Sequence, residues 1–230
     1  MRICGLEKFS LVDFDGKLAC TVFTAGCNFA CPFCHNSPLV VDAANQAEIS
    51  EEELFTFLAS RKKLLDAVCV SGGEPTLYKD LPDLIAKIKA LGYAVKLDSN
   101  GTNPFVLKHL IDEKLIDYVA MDVKNCLDKY SVTVNKSSFE QENIKKSVEL
   151  LMQSNIGYEF RTTLVEQFHT ESDIVKIRDW LSGADKYFLQ RFVDSESCIA
   201  GGLSPVPLET ALKFKDILSA KIERVALRGY

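Results

Sequence analysis

The chain has 230 residues, 47% of them hydrophobic and 26% charged, and 27 Lys+Arg against 32 Asp+Glu leave a net charge of −5. This is ordinary globular composition with apolar side chains enough for a large core, which argues against disorder, and at about 150 residues per domain it predicts one domain of α/β-barrel size. The mild acidic balance has the wrong sign for a dedicated nucleic-acid surface, no window approaches the ~18 apolar residues of a membrane span, and residues 1–8 hold no apolar signal core. The expectation is a cytoplasmic protein with neither nucleic acid nor membrane as partner.

In chain order, residues 9–25 predict a hairpin, because Phe9-Ser10-Leu11-Val12-Asp13-Phe14 and Leu18-Ala19-Cys20-Thr21-Val22-Phe23 flank the turn pair Asp15-Gly16. Then β-rich runs near 67–71, 94–98, 118–123, 157–164 and 186–192 alternate with amphipathic windows near 51–64, 81–91, 104–114, 139–154 and 171–182. Ser50 with Glu53 and Ser138 with Gln141 fit capping boxes, Asn103-Pro104 fits a helix start, and Gly92 and Gly183 fit helix stops. A (β/α) series of this kind implies a parallel sheet. Counting the hairpin strand 18–25 as the first, six strands predict a partial (β/α)6 TIM-like barrel over 18–192, with a hairpin extension at 1–17 and a C-terminal extension at 193–230. Residues 222–227 read as a final strand or a fraying tail.

Eight cysteines in a reducing compartment are poor disulfide candidates, and three of them crowd into Cys27, Cys31 and Cys34 after the first strand. Such a loop can wrap one face of an iron-sulfur cube, and three thiolates leave the fourth iron of a 4Fe-4S cluster open to an exogenous ligand. Structural zinc would need a fourth ligand, for which the adjacent His35 is poorly placed. Haem attachment through Cys31-Pro32-Phe33-Cys34-His35 and a thioredoxin-like Cys31/Cys34 pair both leave Cys27 unused. Cys4, Cys20, Cys69, Cys126 and Cys198 are scattered and read as small buried residues.

Further polar motifs fall at the ends of successive strands: Gly72-Gly73-Glu74-Pro75, Asp98-Ser99-Asn100-Gly101, Asp122-Val123-Lys124, and Arg161. The C-terminal rim of a parallel barrel is where loops converge on a ligand, so this recurrence predicts one shared site. A plain βα turn at Gly72 or Asp98, an exposed lysine at 124 and a structural salt bridge at Arg161 are the bland alternatives. Gln190 and Arg191 carry the same ambiguity.

With Cys34-His35-Asn36, these motifs resemble the radical S-adenosylmethionine (SAM) superfamily, and within it the glycyl-radical-enzyme activases. The opening Phe9-Ser10-Leu11-Val12-Asp13-Phe14-Asp15-Gly16 and Arg161-Thr162-Thr163-Leu164-Val165 look most like the anaerobic ribonucleoside-triphosphate reductase activating proteins. The resemblance implies a 4Fe-4S cluster on Cys27, Cys31 and Cys34, and SAM held by Gly72, Gly73, Glu74, Asp98, Ser99, Asn100, Asp122, Lys124 and Arg161. Glu74 would accept from the methionyl ammonium, Lys124 would face its carboxylate, and Asp98, Ser99 and Asp122 would hold a monovalent cation. The implied reaction passes one electron from the reduced cluster to the sulfonium, and a 5′-deoxyadenosyl radical then takes hydrogen from a glycine of a partner enzyme. A flavodoxin- or ferredoxin-type donor would supply the electron. Only Ser37 to Ser50 separate the cysteine loop from the next helix, so no second cluster is expected. Activation of pyruvate formate-lyase, a small-molecule radical enzyme such as a deazaguanine synthase, and an electron carrier or zinc-stabilised module are the rival functions.

Overall fold

The computed structural model describes residues 1–230. Eight strands form one sheet in chain order: β1 (Ile3–Ser10), β2 (Ala19–Thr24), β3 (Ala67–Gly72), β4 (Ala94–Ser99), β5 (Tyr118–Asp122), β6 (Gly157–Leu164), β7 (Lys186–Arg191) and β8 (Arg224–Arg228). From β2 onward every neighbour is parallel, and only β1 runs antiparallel, against β2. The six-stranded parallel run expected from the sequence is therefore present, and residues 222–227 resolve into β8, a further parallel strand. β1 and β8 do not pair, so the sheet keeps two free edges. It nevertheless curls: Arg228 on β8 lies 3.6 Å from Asp15, in the turn before β2.

Between the strands lie α1 (Ser37–Val41), α2 (Glu51–Arg61), α3 (Leu81–Ala90), α4 (Pro104–Asp112), α5 (Tyr130–Thr133), α6 (Gln141–Gln153), α7 (Glu171–Trp180) and α8 (Leu208–Ser219). Their apolar stripes, such as Leu84, Ile85 and Ile88 on α3, are buried with strand residues in one continuous core. Ala67, Val68, Cys69 and Val70 of β3 are wholly buried, because both faces of a parallel strand are covered. The Ser50–Glu53 capping box forms as expected, Asn103 is the N-cap ahead of Pro104, and Thr170 with Asp173 adds a second box. No helix is long and apolar enough to cross a membrane.

Two local expectations are corrected. The hairpin's first strand is Ile3–Ser10 rather than 9–14, and pairing with β2 ends at Ser10 opposite Ala19. Phe14 leaves the ladder to bury its ring at the base of the lumen, 5.5 Å from the Tyr118 ring, while Thr21 Oγ1 donates to Asp13 Oδ2 at 2.6 Å. Burying an aromatic ring there outweighs two more ladder pairs. The Ser138–Gln141 box does not form: Glu140 takes the N-cap position of α6 without a side-chain cap bond, Phe139 packs edge-on against Phe29 at 5.3 Å, and Gln141 Nε2 donates to Leu127 O at 3.1 Å. Of the five scattered cysteines, Cys20, Cys69 and Cys126 are buried, but Cys4 on the edge strand and Cys198 in the loop after β7 are only half-buried.

Candidate functional site

A cavity of about 430 Å³ opens at the C-terminal ends of the parallel strands, and all twelve residues assigned to cluster and cofactor line it, together with Gln190. Arg191, the next residue along β7, is exposed and outside it.

The cysteine loop follows β2 through Gly26, whose φ of +82° makes the turn. It is tied to the body of the protein on several sides. Ala30 N donates to Val134 O at 3.1 Å and Ala200 N to Pro32 O at 2.9 Å, while the Phe33 and Phe168 rings lie 5.7 Å apart. Asn100 reaches the loop from the end of β4, its Nδ2 lying 3.8 Å from Cys27 Sγ and 2.8 Å from Asn28 Oδ1. Burial pushes the Cys27 thiol up to about 11, Cys31 to about 12, and Cys34 upward as well, while Lys124 pulls all three down. Metal ligation would supply the positive charge that lets them ionise. No three His, Cys, Asp or Glu side chains converge closely enough to hold a single ion. His35, the nearest candidate for a fourth zinc ligand, stacks on Phe192 and sets its Nε2 2.8 Å from Val193 O. Three thiols lining one cavity are a donor set of the kind that would hold an iron-sulfur cluster.

The Gly72-Gly73-Glu74-Pro75 turn presses on the same loop. A Cβ on Gly72 would stand 2.2 Å from Thr24 N, and one on Gly73 1.9 Å from Gly26 O. These glycines are required by the approach of two backbones, with Gly73 N donating to Thr24 O and Glu74 N to Gly26 O, each at 2.8 Å. Glu74 is 1% exposed and its carboxylate is committed to protein donors. Oε1 accepts from Thr76 N at 3.1 Å, Thr76 Oγ1 at 2.5 Å and Ser99 Oγ at 2.9 Å, and Oε2 accepts from Asn100 N at 2.6 Å. Burial pushes its carboxyl above the usual carboxylate value against the pull of these donors. Glu74 thus locks the ends of β3 and β4 together and thereby places Asn100 on Cys27.

The opposite wall is a series of charges. Arg161 Nε is 2.6 Å from Asp122 Oδ1, its Nη2 is 3.1 Å from Asp98 Oδ2, and Lys124 Nζ is 2.9 Å from Asp122 Oδ2. Burial alone would raise both aspartates, but the adjoining cations hold Asp98 and Asp122 below the usual range. The Arg161 guanidinium lies between the two aspartates, and Ser99 Oγ donates to Glu74. Arg161 and Lys124 are therefore neither an isolated salt bridge nor an exposed lysine: both face the cavity while paired.

Three contributors escaped the sequence reading. Lys96 is 4% exposed and places its Nζ 3.1 Å from Asp98 Oδ1; strand alternation from Asp98 would have put it on the same face. Asp13 lines the cavity from the β1–β2 turn, and its carbonyl accepts from Lys96 Nζ at 2.6 Å. His169 is 3% exposed and sets Nε2 2.9 Å from Lys124 O, fixing the backbone of that lysine. Contacts spanning tens of residues leave no local signal for the last two.

Comparison with known proteins agrees with this geometry. The family model for the Radical SAM superfamily matches residues 21–181. A putative glycyl-radical enzyme activating enzyme of Methanocaldococcus jannaschii is 36% identical over 236 residues, covering 98% of this chain and 95% of its own length. The pyruvate formate-lyase-activating enzyme of Clostridium pasteurianum is 31% identical over 166 residues, covering 68% of this chain and 64% of its own. Among solved structures, Streptococcus suis SuiB superposes with a TM-score of 0.70 at 14% identity, covering 91% of this chain and 48% of SuiB, a likeness of fold.

Proposed function

Because the chain belongs to the radical SAM superfamily and, within it, to the glycyl-radical enzyme activating enzymes, we propose that it installs the glycyl radical of an anaerobic ribonucleoside-triphosphate reductase, using a 4Fe-4S cluster on Cys27, Cys31 and Cys34 and SAM bound beside it. One observation carries the reading: the three thiols and the wall of Asp98, Arg161, Asp122 and Lys124 line the same cavity. When bound, the cluster and SAM supply one-electron bond cleavage and hydrogen abstraction.

The chain's own residues bind, orient and exclude water. Lys124, paired on one side with Asp122, presents positive charge between the thiols and a ligand carboxylate. Arg161, pinned at both ends by aspartates, holds the opposite wall without needing to move on binding. Gly72 and Gly73 keep the cysteine loop close to β3, and Asn100 orders Cys27 under the control of Glu74. The unpaired edges of β1 and β8 leave a side through which a flexible glycine-bearing segment of a partner can enter. A flavodoxin- or ferredoxin-type protein in the cytoplasm would provide the electron.

The choice of reductase is supported by the opening Phe9 to Gly16 and by Arg161 to Val165. Activation of pyruvate formate-lyase is the second reading, favoured by the Clostridium pasteurianum relative. Anaerobic co-incubation of the reduced protein and SAM with each candidate, read by electron paramagnetic resonance, separates them. A glycyl radical on the reductase that disappears when its radical glycine is replaced by alanine is expected. A signal on the lyase alone would move the partner and keep the chemistry.

A further inference from the structure

Below the cavity, Lys96 is a buried cation that pairs with Asp98 of the wall described above. It stands two residues before Asp98 on β4, its side chain 5% exposed. Nζ donates to the Asp13 carbonyl oxygen at 2.6 Å and lies 3.1 Å from Asp98 Oδ1. The second contact is an ion pair without hydrogen-bond alignment, since Oδ1 is buried and has no hydrogen-bond partner. Oδ2 of the same carboxylate accepts from Ser71 Oγ at 3.0 Å and faces Arg161 Nη2 at 3.1 Å. The ammonium is thus the only counter-charge on one buried oxygen, and Asp122, beyond the guanidinium, adds repulsion. Two other titratable groups lie on this side: the Asp13 carboxylate, which accepts from Thr21 Oγ1 at 2.6 Å, and Cys69, whose Sγ donates to the Asp13 carbonyl at 3.5 Å and whose thiol burial pushes up to about 12.

Lys96, Asp98, Arg161, Asp122 and Lys124 therefore form one series of alternating sign that runs from the turn before β2 to the cysteine loop. Removing the first charge leaves Asp98 half-compensated in a low-dielectric lumen, where it relieves the cost by rotating or by taking a proton. In either case the guanidinium loses one of its two anchors. We propose that Lys96 is a positioning residue for SAM: acting through Asp98, it keeps Arg161 fixed in the cavity wall. The inference rests on the reading of this cavity as the SAM site.

The test is a double-mutant cycle on the full, anaerobically reconstituted protein, with SAM affinity measured by equilibrium dialysis and iron content by assay. Lys96→Met should weaken SAM binding about tenfold and leave the iron content unchanged; in an Asp98→Asn background the same replacement should change affinity less than about twofold, because the charge it serves is gone. A lysine that merely fills space would lose equally in both backgrounds, and that result, or no loss in either, overturns the proposal. If Lys96→Met does not fold, Lys96→Gln, which can still donate to the Asp13 carbonyl, runs the cycle on charge alone. Failure of the unaltered protein to bind SAM would remove the cofactor reading itself, whereas normal binding with an additive cycle removes only Lys96.

Discussion

Replacing Glu74 by alanine distinguishes a ligand contact from an internal lock. The carboxylate accepts from two backbone N–H groups, of Thr76 and Asn100, and from the hydroxyls of Thr76 and Ser99, all buried. The hydroxyls can rotate toward other acceptors, but the amides cannot. Two orphaned buried donors at about 1–3 kcal/mol each give an expected destabilisation of about 2–6 kcal/mol. The measurement is urea unfolding of the cluster-free, reduced chain, in which no cofactor contributes. A second effect follows from the same bonds: with Asn100 N released, its side chain no longer holds Cys27, so cluster content after reconstitution should fall as well. A residue whose only task were to bind an ammonium would show neither effect and would lose SAM affinity alone. An unfolding free energy within about 0.5 kcal/mol of the unaltered protein, with the same denaturant slope, would refute the lock.

Anaerobic reconstitution should bring about four irons per chain, and alanine at Cys27, Cys31 and Cys34 together should abolish it; zinc as the only bound metal would contradict the assignment. His169 is held neutral by burial, its pKa lowered, so the unfolded chain binds the extra proton first: stability of the cluster-free protein should decline as pH falls below about 6.5, by at most about 1.4 kcal/mol per pH unit, and this component should vanish in His169→Gln. A Cβ at Gly73 would lie 1.9 Å from the Gly26 carbonyl oxygen, so Gly73→Ala must shift one backbone against the other and should cost about 3 kcal/mol or more by thermal or chemical unfolding; a smaller loss would mean that the turn is pliable.

The order of elements, the parallel sheet and the cysteine loop were legible in the residues because each is written locally: alternation in the strands, 3.6-residue stripes in the helices, and thiols within a few positions of one another. The strand-end motifs were legible for a related reason, since a parallel (β/α) series brings the ends of all its strands to one rim whatever the details of packing. Tertiary structure alone decided how those side chains divide the work. Glu74 read as a ligand-facing motif residue and is also a lock, because the turn that carries it is pressed against Gly26 and its donors come from that turn and from the next strand. Asp98 and Asp122 grip Arg161, which arrives from a strand dozens of residues later. Phe14 was drawn out of a hairpin by a lumen that exists only once the sheet has curled. Lys96 and His169 came to support the wall through contacts with Asp13 and Lys124 across 83 and 45 residues. Burial and charge pairing depend on which distant strands become neighbours, and a local pattern of residues carries no record of that.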